Sequence, residues 1–102
     1  MNFEVLPVAE LEGIEAAIWY DDQRLGLGDE FLDELAQGLE RIQAEPASFA
    51  ALEHYSGQHD VRRCLLKRFP YVVIFRRRPE EVLIVAVGHV RRRPLYWLDR
   101  LG

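Results

Sequence analysis

Apolar positions recur every three or four residues in the first half of the chain, and after residue 60 they alternate or run together. Phe3 and Val5 alternate before the Leu6-Pro7 step, so a short strand is expected there, with the proline stopping its ladder. From Val8 onward, Val8, Leu11, Ile14 and Ile18 trace one stripe while Glu10, Glu12 and Glu15 fall on other faces. That spacing predicts an amphipathic helix ending near Asp21-Asp22. Gly13 weakens it by ~1 kcal/mol relative to alanine, so either packing compensates or another backbone approaches closely there. Gly26-Leu27-Gly28 breaks the pattern, and a second helix follows, capped by Gly28 or Asp29, striped by Phe31, Leu35, Leu39 and Ile42 and ended by Pro46. Asp29 and Glu30 suit its N-terminal dipole. So short a link predicts a helical hairpin.

Residues 47–60 lack a period and read as a long loop in which Phe49, Leu52 and Tyr55 pack locally. Val61 to Lys67 is a strand candidate rich in positive charge, and Tyr71 to Phe75 is a stronger one by its β-branched and aromatic content. Arg76 to Glu81 reads as a solvated hairpin connection, and Val82 to His89 as the last strand of a meander. That last strand is apolar on both faces, the mark of a central strand covered on both sides. The helical hairpin is expected on one face and the segment Leu95 to Leu101 on part of the other. The result is an α+β fold, an N-terminal strand and helical hairpin packed on an antiparallel β-meander sheet, in one domain over residues 1–102.

Charge changes this picture more than composition does. Residues 1–60 hold 14 acidic groups against Arg24 and Arg41, a net of −12; residues 61–102 hold 11 basic groups against Glu80, Glu81 and Asp99, a net of +8. If each half forms its own layer, either the layers pair their charges with each other or a basic side remains for phosphates or acidic protein surfaces. Cys64 is the only cysteine and excludes an internal disulfide. No paired Cys/His spacing for zinc and no glycine-rich phosphate loop occurs, so neither a metal nor another cofactor is expected. The N-terminus has acids where a secretory signal has basic residues, and the longest apolar run, Val82 to Val90, is at most half a membrane span. A soluble, cytoplasmic protein without a membrane partner is expected.

Three arginine clusters carry the candidate chemistry: Arg62-Arg63 with Lys67-Arg68, Arg76 to Arg78, and Arg91 to Arg93. Arginine's planar fork suits phosphates and carboxylates. Antiparallel pairing separates the Arg76 hairpin from the Arg91 cluster, so two basic patches are expected. His89 would share a strand face with Leu83, Val85 and Val87, as a structural residue without a sequence-local carboxylate to orient it. Cys64 reads as a small core residue. Tyr96 and Trp97 read as a cap over the sheet, and the pairs Asp21-Asp22 and Asp29-Glu30 as helix ends.

Three stretches, WYDDQRLGLGDEFLDELAQGLERIQAEP, VRRCLLKRFPYVVIF and VLIVAVGHVRRRPLYWLDR, resemble the RelE/ParE family of bacterial type II toxins. The resemblance spans nearly the whole chain. It rests on Gly26-Leu27-Gly28 with Phe31, on Arg62-Arg63 then Phe69-Pro70-Tyr71, and on Ala86 to His89 then Arg92, Arg93-Pro94 and Tyr96-Trp97. It implies the same fold, a cytoplasmic site of action, growth arrest or plasmid stabilisation, and a cognate antitoxin that wraps the toxin, leaving open a homodimer or a heterotetramer with that antitoxin. RelE-like members cut messenger RNA on the ribosome with basic sheet residues and a C-terminal tyrosine, as metal-independent endoribonucleases. ParE-like members inhibit DNA gyrase. The tyrosine falls on Tyr96. The paired lysines fall near Arg62 to Leu65, where no lysine pair exists, and two expected arginines fall on Val72 and Val90. The resemblance is therefore closer to the ParE-like branch, with Arg62, Arg63, Arg91, Arg92, Arg93 and Tyr96 as residues for binding target or antitoxin. Tyr96 and Arg92 are catalytic only if the chain is a ribonuclease. A third reading is a family member that no longer poisons its host and serves as a binding module.

Overall fold

The computed structural model describes all 102 residues. The chain runs β1 (Asn2–Val5), α1 (Pro7–Gln23), α2 (Leu27–Ala44), a 3-10 turn (Pro46–Ser48), β2 (Asp60–Leu65), β3 (Tyr71–Arg78), β4 (Glu81–His89) and a last 3-10 turn (Leu98–Arg100). The strands form one sheet in the order β1-β4-β3-β2. β2, β3 and β4 make the antiparallel meander, but β1 joins β4 in parallel, Val5 opposite Ile84, so the sheet is mixed rather than wholly antiparallel. β4 is indeed central. The helices cover one face around Phe31, Ile42, Val73, Phe75 and Ile84, and Trp97 and Leu101 cover part of the other together with Val61, Ile74 and Val85. No helix is long and apolar enough to cross a membrane.

The hairpin α1–α2 forms, but α1 is rotated from its expected setting. Its buried residues are Ala9, Gly13, Ala16 and Ala17. The stripe Val8, Leu11, Ile14 and Ile18 faces outward, with Leu11 53% and Ile18 58% exposed. The cause is close packing: small side chains let α1 lie against α2, and a Cβ at Gly13 would come 2.9 Å from Leu35 Cδ2. At the hairpin's other end a Cβ at Gly28 would collide with the Ala17 carbonyl oxygen. Between the helices, Gly26 takes φ +92°, a left-handed turn that only glycine adopts without strain. Asp21 Oδ1 accepts the Gly28 N–H at 2.7 Å, satisfying one of the orphan donors that begin α2. α2 buries Phe31, Leu35 and Ile42 as its stripe predicts.

Two further expectations are corrected in the sheet. The Arg76 to Arg78 stretch is not a solvated connection, because β3 continues to Arg78 and pairs there with Glu81. Arg76 is buried at 7% exposure; it donates to Glu81 Oε1 at 2.6 Å and to the Leu101 carbonyl, which fixes the C-terminal segment. His89 does not share a face with Leu83 and Val85. Ile74 pairs with Ala86 while Phe75 pairs with Ile84, so β4 carries one extra residue. Such a bulge moves every later side chain to the other face. Val85 and Ala86 both join the outer cluster, Val87 returns to the helix side, and His89 lies edge-on to Tyr71 across the strands.

Candidate functional site

β1 ends opposite Ile84, so from Val85 onward β4 has a strand on one side only. Side chains take the missing strand's place. Glu12 of α1 accepts the Val87 N–H at 3.0 Å, and Arg100 donates to the Val85 carbonyl at 3.1 Å. Arg100 also donates to both Glu12 oxygens, and Arg92 Nη1 reaches Glu12 Oε2 at 3.0 Å. Glu12 is 10% exposed in its side chain, and a carboxylate so removed from water is tolerated because both oxygens face cations and one also meets a backbone donor. Neither Glu12 nor Arg100 stood out in the sequence. The signal was present in the small residues of α1: Glu12 sits beside Gly13, three residues from Ala9 and four from Ala16, on the face they bury.

This clamp sets Tyr96. Leu95 adopts φ +62°, unusual for a residue with a branched side chain, and the chain beyond it places Tyr96 and Trp97 on the sheet. Trp97 is buried at the outer face beside Tyr55, as the cap reading expects. The Tyr96 hydroxyl rests against Gly88, where a Cβ would strike it, and it is buried without a hydrogen-bond partner. Arg92 lies 3.7 Å from the centre of its ring. Burial, and then the Glu12 carboxylate, push the phenol above its ordinary range despite Arg92 and Arg100. Cys64 is likewise buried, its thiol pushed up by desolvation, with Arg41 the nearest polar group.

The arginines divide by partner. Arg62 is held by Asp60 and by the carbonyls of Ala47 and Phe49, which ties the long loop to β2. Arg63 has only a loose contact with Glu53 at 3.9 Å. Arg68 binds Glu30, and together with Arg24 it holds that carboxyl below its usual range. Arg77 and Arg78 face Asp60 and Glu81. The acidic and basic halves are thus stitched at Glu12, Glu30 and Asp60. Of Arg91, Arg92 and Arg93, only Arg92 has a carboxylate partner; Arg91 and Arg93 are exposed without one.

Arg93 borders a pocket of about 180 Å³ on the sheet's outer face, between the long loop and the C-terminal segment. Val72, Ile74 and Trp97 line it, and His54, Arg92 and Arg93 stand at its edge. Val72, Val90 and Tyr96 all border it. Three of the positions singled out by the resemblance therefore converge, while Arg62 is committed elsewhere. A second hollow, about 310 Å³ and mostly apolar, lies between the helices over β4, bordered by Gly13, Ile14, Leu32 and Leu39. The outward stripe of α1 continues from it.

Comparison with known proteins agrees with this architecture. Residues 8–94 match the family model for the ParE toxin of the type II toxin–antitoxin system parDE. The chain belongs to that family. Among solved structures, a chain of the chromosomal ParDE TA system from P. aeruginosa superposes with a TM-score of 0.70 at 17% identity, covering 87% of this chain and 95% of that one. No curated protein sequence matches.

Proposed function

We propose that this toxin acts by binding, as an inhibitor of DNA gyrase in the cytoplasm, and that a cognate antitoxin neutralises it. One observation carries the reading: the pocket where an RNA-cutting relative would gather its charged groups has Val72 and Val90 at its wall and a tyrosine whose hydroxyl is buried without a partner. Cleavage by a 2′-hydroxyl needs groups that accept a proton, stabilise the charged phosphate and assist the leaving oxygen. A valine does none of these. The contact of Arg92 with Tyr96 favours the ribonuclease alternative, but Glu12 already occupies Arg92, and Arg62 is spent on the loop carbonyls.

The antitoxin is assigned to the other side of the molecule. An apolar surface formed by Leu11, Ile14, Ile18, Trp19 and Leu32 is unusual on a soluble monomer and marks a protein-binding face. An amphipathic antitoxin segment laid along α1 would cover it and fill the hollow beside Leu32. Purified toxin added to gyrase and relaxed plasmid tests the reading. Loss of supercoiling, reversed by antitoxin, is expected; undisturbed supercoiling in toxin excess rejects the gyrase assignment.

A further inference from the structure

We propose that the pocket on the outer face receives one aliphatic side chain of an acidic protein segment. The inference rests on the reading of this face as the toxin's target-binding surface, and it specifies the chemistry of what binds.

Size comes first. Drug-sized ligands and nucleotides occupy pockets of roughly 300–1,000 Å³, whereas an apolar cavity of roughly 150 Å³ takes a single benzene ring. At about 180 Å³ the outer pocket has room for one side chain. Its wall is aliphatic: Leu52, Val72, Ile74, Val90 and Leu95 line it, so the occupant is apolar where it enters.

Charge supplies the rest. No carboxylate borders the pocket, while Arg92 and Arg93 do, and Arg91 is adjacent in the chain. Arg91 and Arg93 have no acidic partner within the molecule, in contrast to the Arg76 to Arg78 cluster, whose members all face Asp60 or Glu81. The same chain that neutralises one cluster leaves Arg91 and Arg93 of the other free, with Arg93 at the rim of an apolar hole. An acidic segment with a buried anchor matches both features, the anchor giving affinity and the arginines orientation. A nucleic acid matches only the charge. Single-stranded nucleic acids need open ring faces on which bases stack, and here Trp97 is buried and Arg92 covers Tyr96.

The rim is also held in place before any partner arrives. Leu95 keeps its left-handed backbone because Trp97 and Leu101 are packed beyond it and Arg76 holds the Leu101 carbonyl. Little ordering remains to be done on binding.

The test is an NMR titration of the whole toxin with three probes. They are a short peptide of aspartates and glutamates around one leucine, the same peptide with alanine in place of leucine, and a single-stranded RNA of equal charge. The leucine peptide should shift Val72, Ile74 and the Trp97 indole. It should bind about ten-fold more tightly than the alanine peptide, as burial of one leucine-sized side chain implies. Arg93→Glu should weaken it, and Val72→Phe, which narrows the entrance from a half-buried position, should weaken the leucine peptide more than the alanine one. Equal binding of the two peptides, or tighter binding of the RNA at the same residues, overturns the proposal. Gyrase inhibition by the same variants separates the two ideas. Selective peptide binding together with gyrase inhibition unaffected by Arg93→Glu sinks the target reading and leaves the pocket standing. Unselective peptides together with inhibition lost in Arg93→Glu do the reverse.

Discussion

Glu12 and Arg100 meet through two contacts, 2.9 and 3.2 Å, across the edge of β4 that β1 leaves open. With one residue on the first helix and the other near the chain's end, the pair closes the C-terminal segment over the sheet. Both side chains are largely buried, so removing Glu12 leaves the Arg100 charge uncompensated. Glu12→Ala should therefore cost about 3 kcal/mol or more by urea unfolding, far above the ~0–1 kcal/mol of an exposed pair. A double-mutant cycle with Arg100→Ala should show strong coupling. Additive losses would mean that the pair does not act as one clamp.

The outward stripe of α1 separates stability from recognition. Leu11→Glu and Ile18→Glu alter exposed positions and should change stability by no more than about 0.5 kcal/mol. Each should nonetheless weaken antitoxin binding in calorimetry and abolish neutralisation of the toxin. Normal neutralisation by both variants would move the antitoxin to another face.

Gly28 marks where the helices touch most closely. Gly28→Ala places a methyl against the Ala17 carbonyl, a backbone group that cannot turn aside. Overpacking of this kind costs about 1–3 kcal/mol, and each kcal/mol lowers Tm by about 4–8 °C in a domain of this size. A thermal melt that matches the parent would show that the hairpin can open there without loss.

Tyr20, Tyr71 and Tyr96 are all raised by burial, Tyr96 further by Glu12 and Tyr20 further by Tyr71. A group whose folded pKa lies above its unfolded value stabilises fully below the unfolded value, about 10 for tyrosine, and loses that contribution as pH rises through the folded value. Stability should accordingly be level through neutral pH in this respect and fall above about pH 10. Spectrophotometric titration should show Tyr20, Tyr71 and Tyr96 ionising late and together with unfolding. Tyr96→Phe should remove part of the slope and, because its hydroxyl is unpaired, cost little or nothing at neutral pH. Early ionisation in the folded chain would contradict the buried setting of Tyr96.

Most of the fold was legible because it depends on local spacing: the stripe of Phe31, Leu35 and Ile42 set α2, and the two-faced apolar run of Val82 to Val87 placed β4 at the centre. What escaped depends on partners far along the chain. The setting of α1 is decided by Ala9, Gly13, Ala16 and Ala17, whose small side chains signal burial weakly while Leu11 and Ile18 signal it strongly from the wrong side. Arg76 looks solvated until Glu81 and the Leu101 carbonyl are brought to it, and one extra residue at Val85 turns His89 to the other face. At the candidate site, Arg92, Arg93 and Tyr96 were visible by type and spacing, whereas Glu12, which fixes two of the C-terminal arginines, was hidden among the many acids of the first helix.

Growth on induced expression of Tyr96→Phe measures the central claim, that this toxin binds rather than cuts, most directly. The variant should arrest growth as the parent does, with translated messages intact by primer extension and arrest relieved by antitoxin. Loss of arrest in Tyr96→Phe at undiminished protein level, beside cuts in translated messages with the parent, would contradict it.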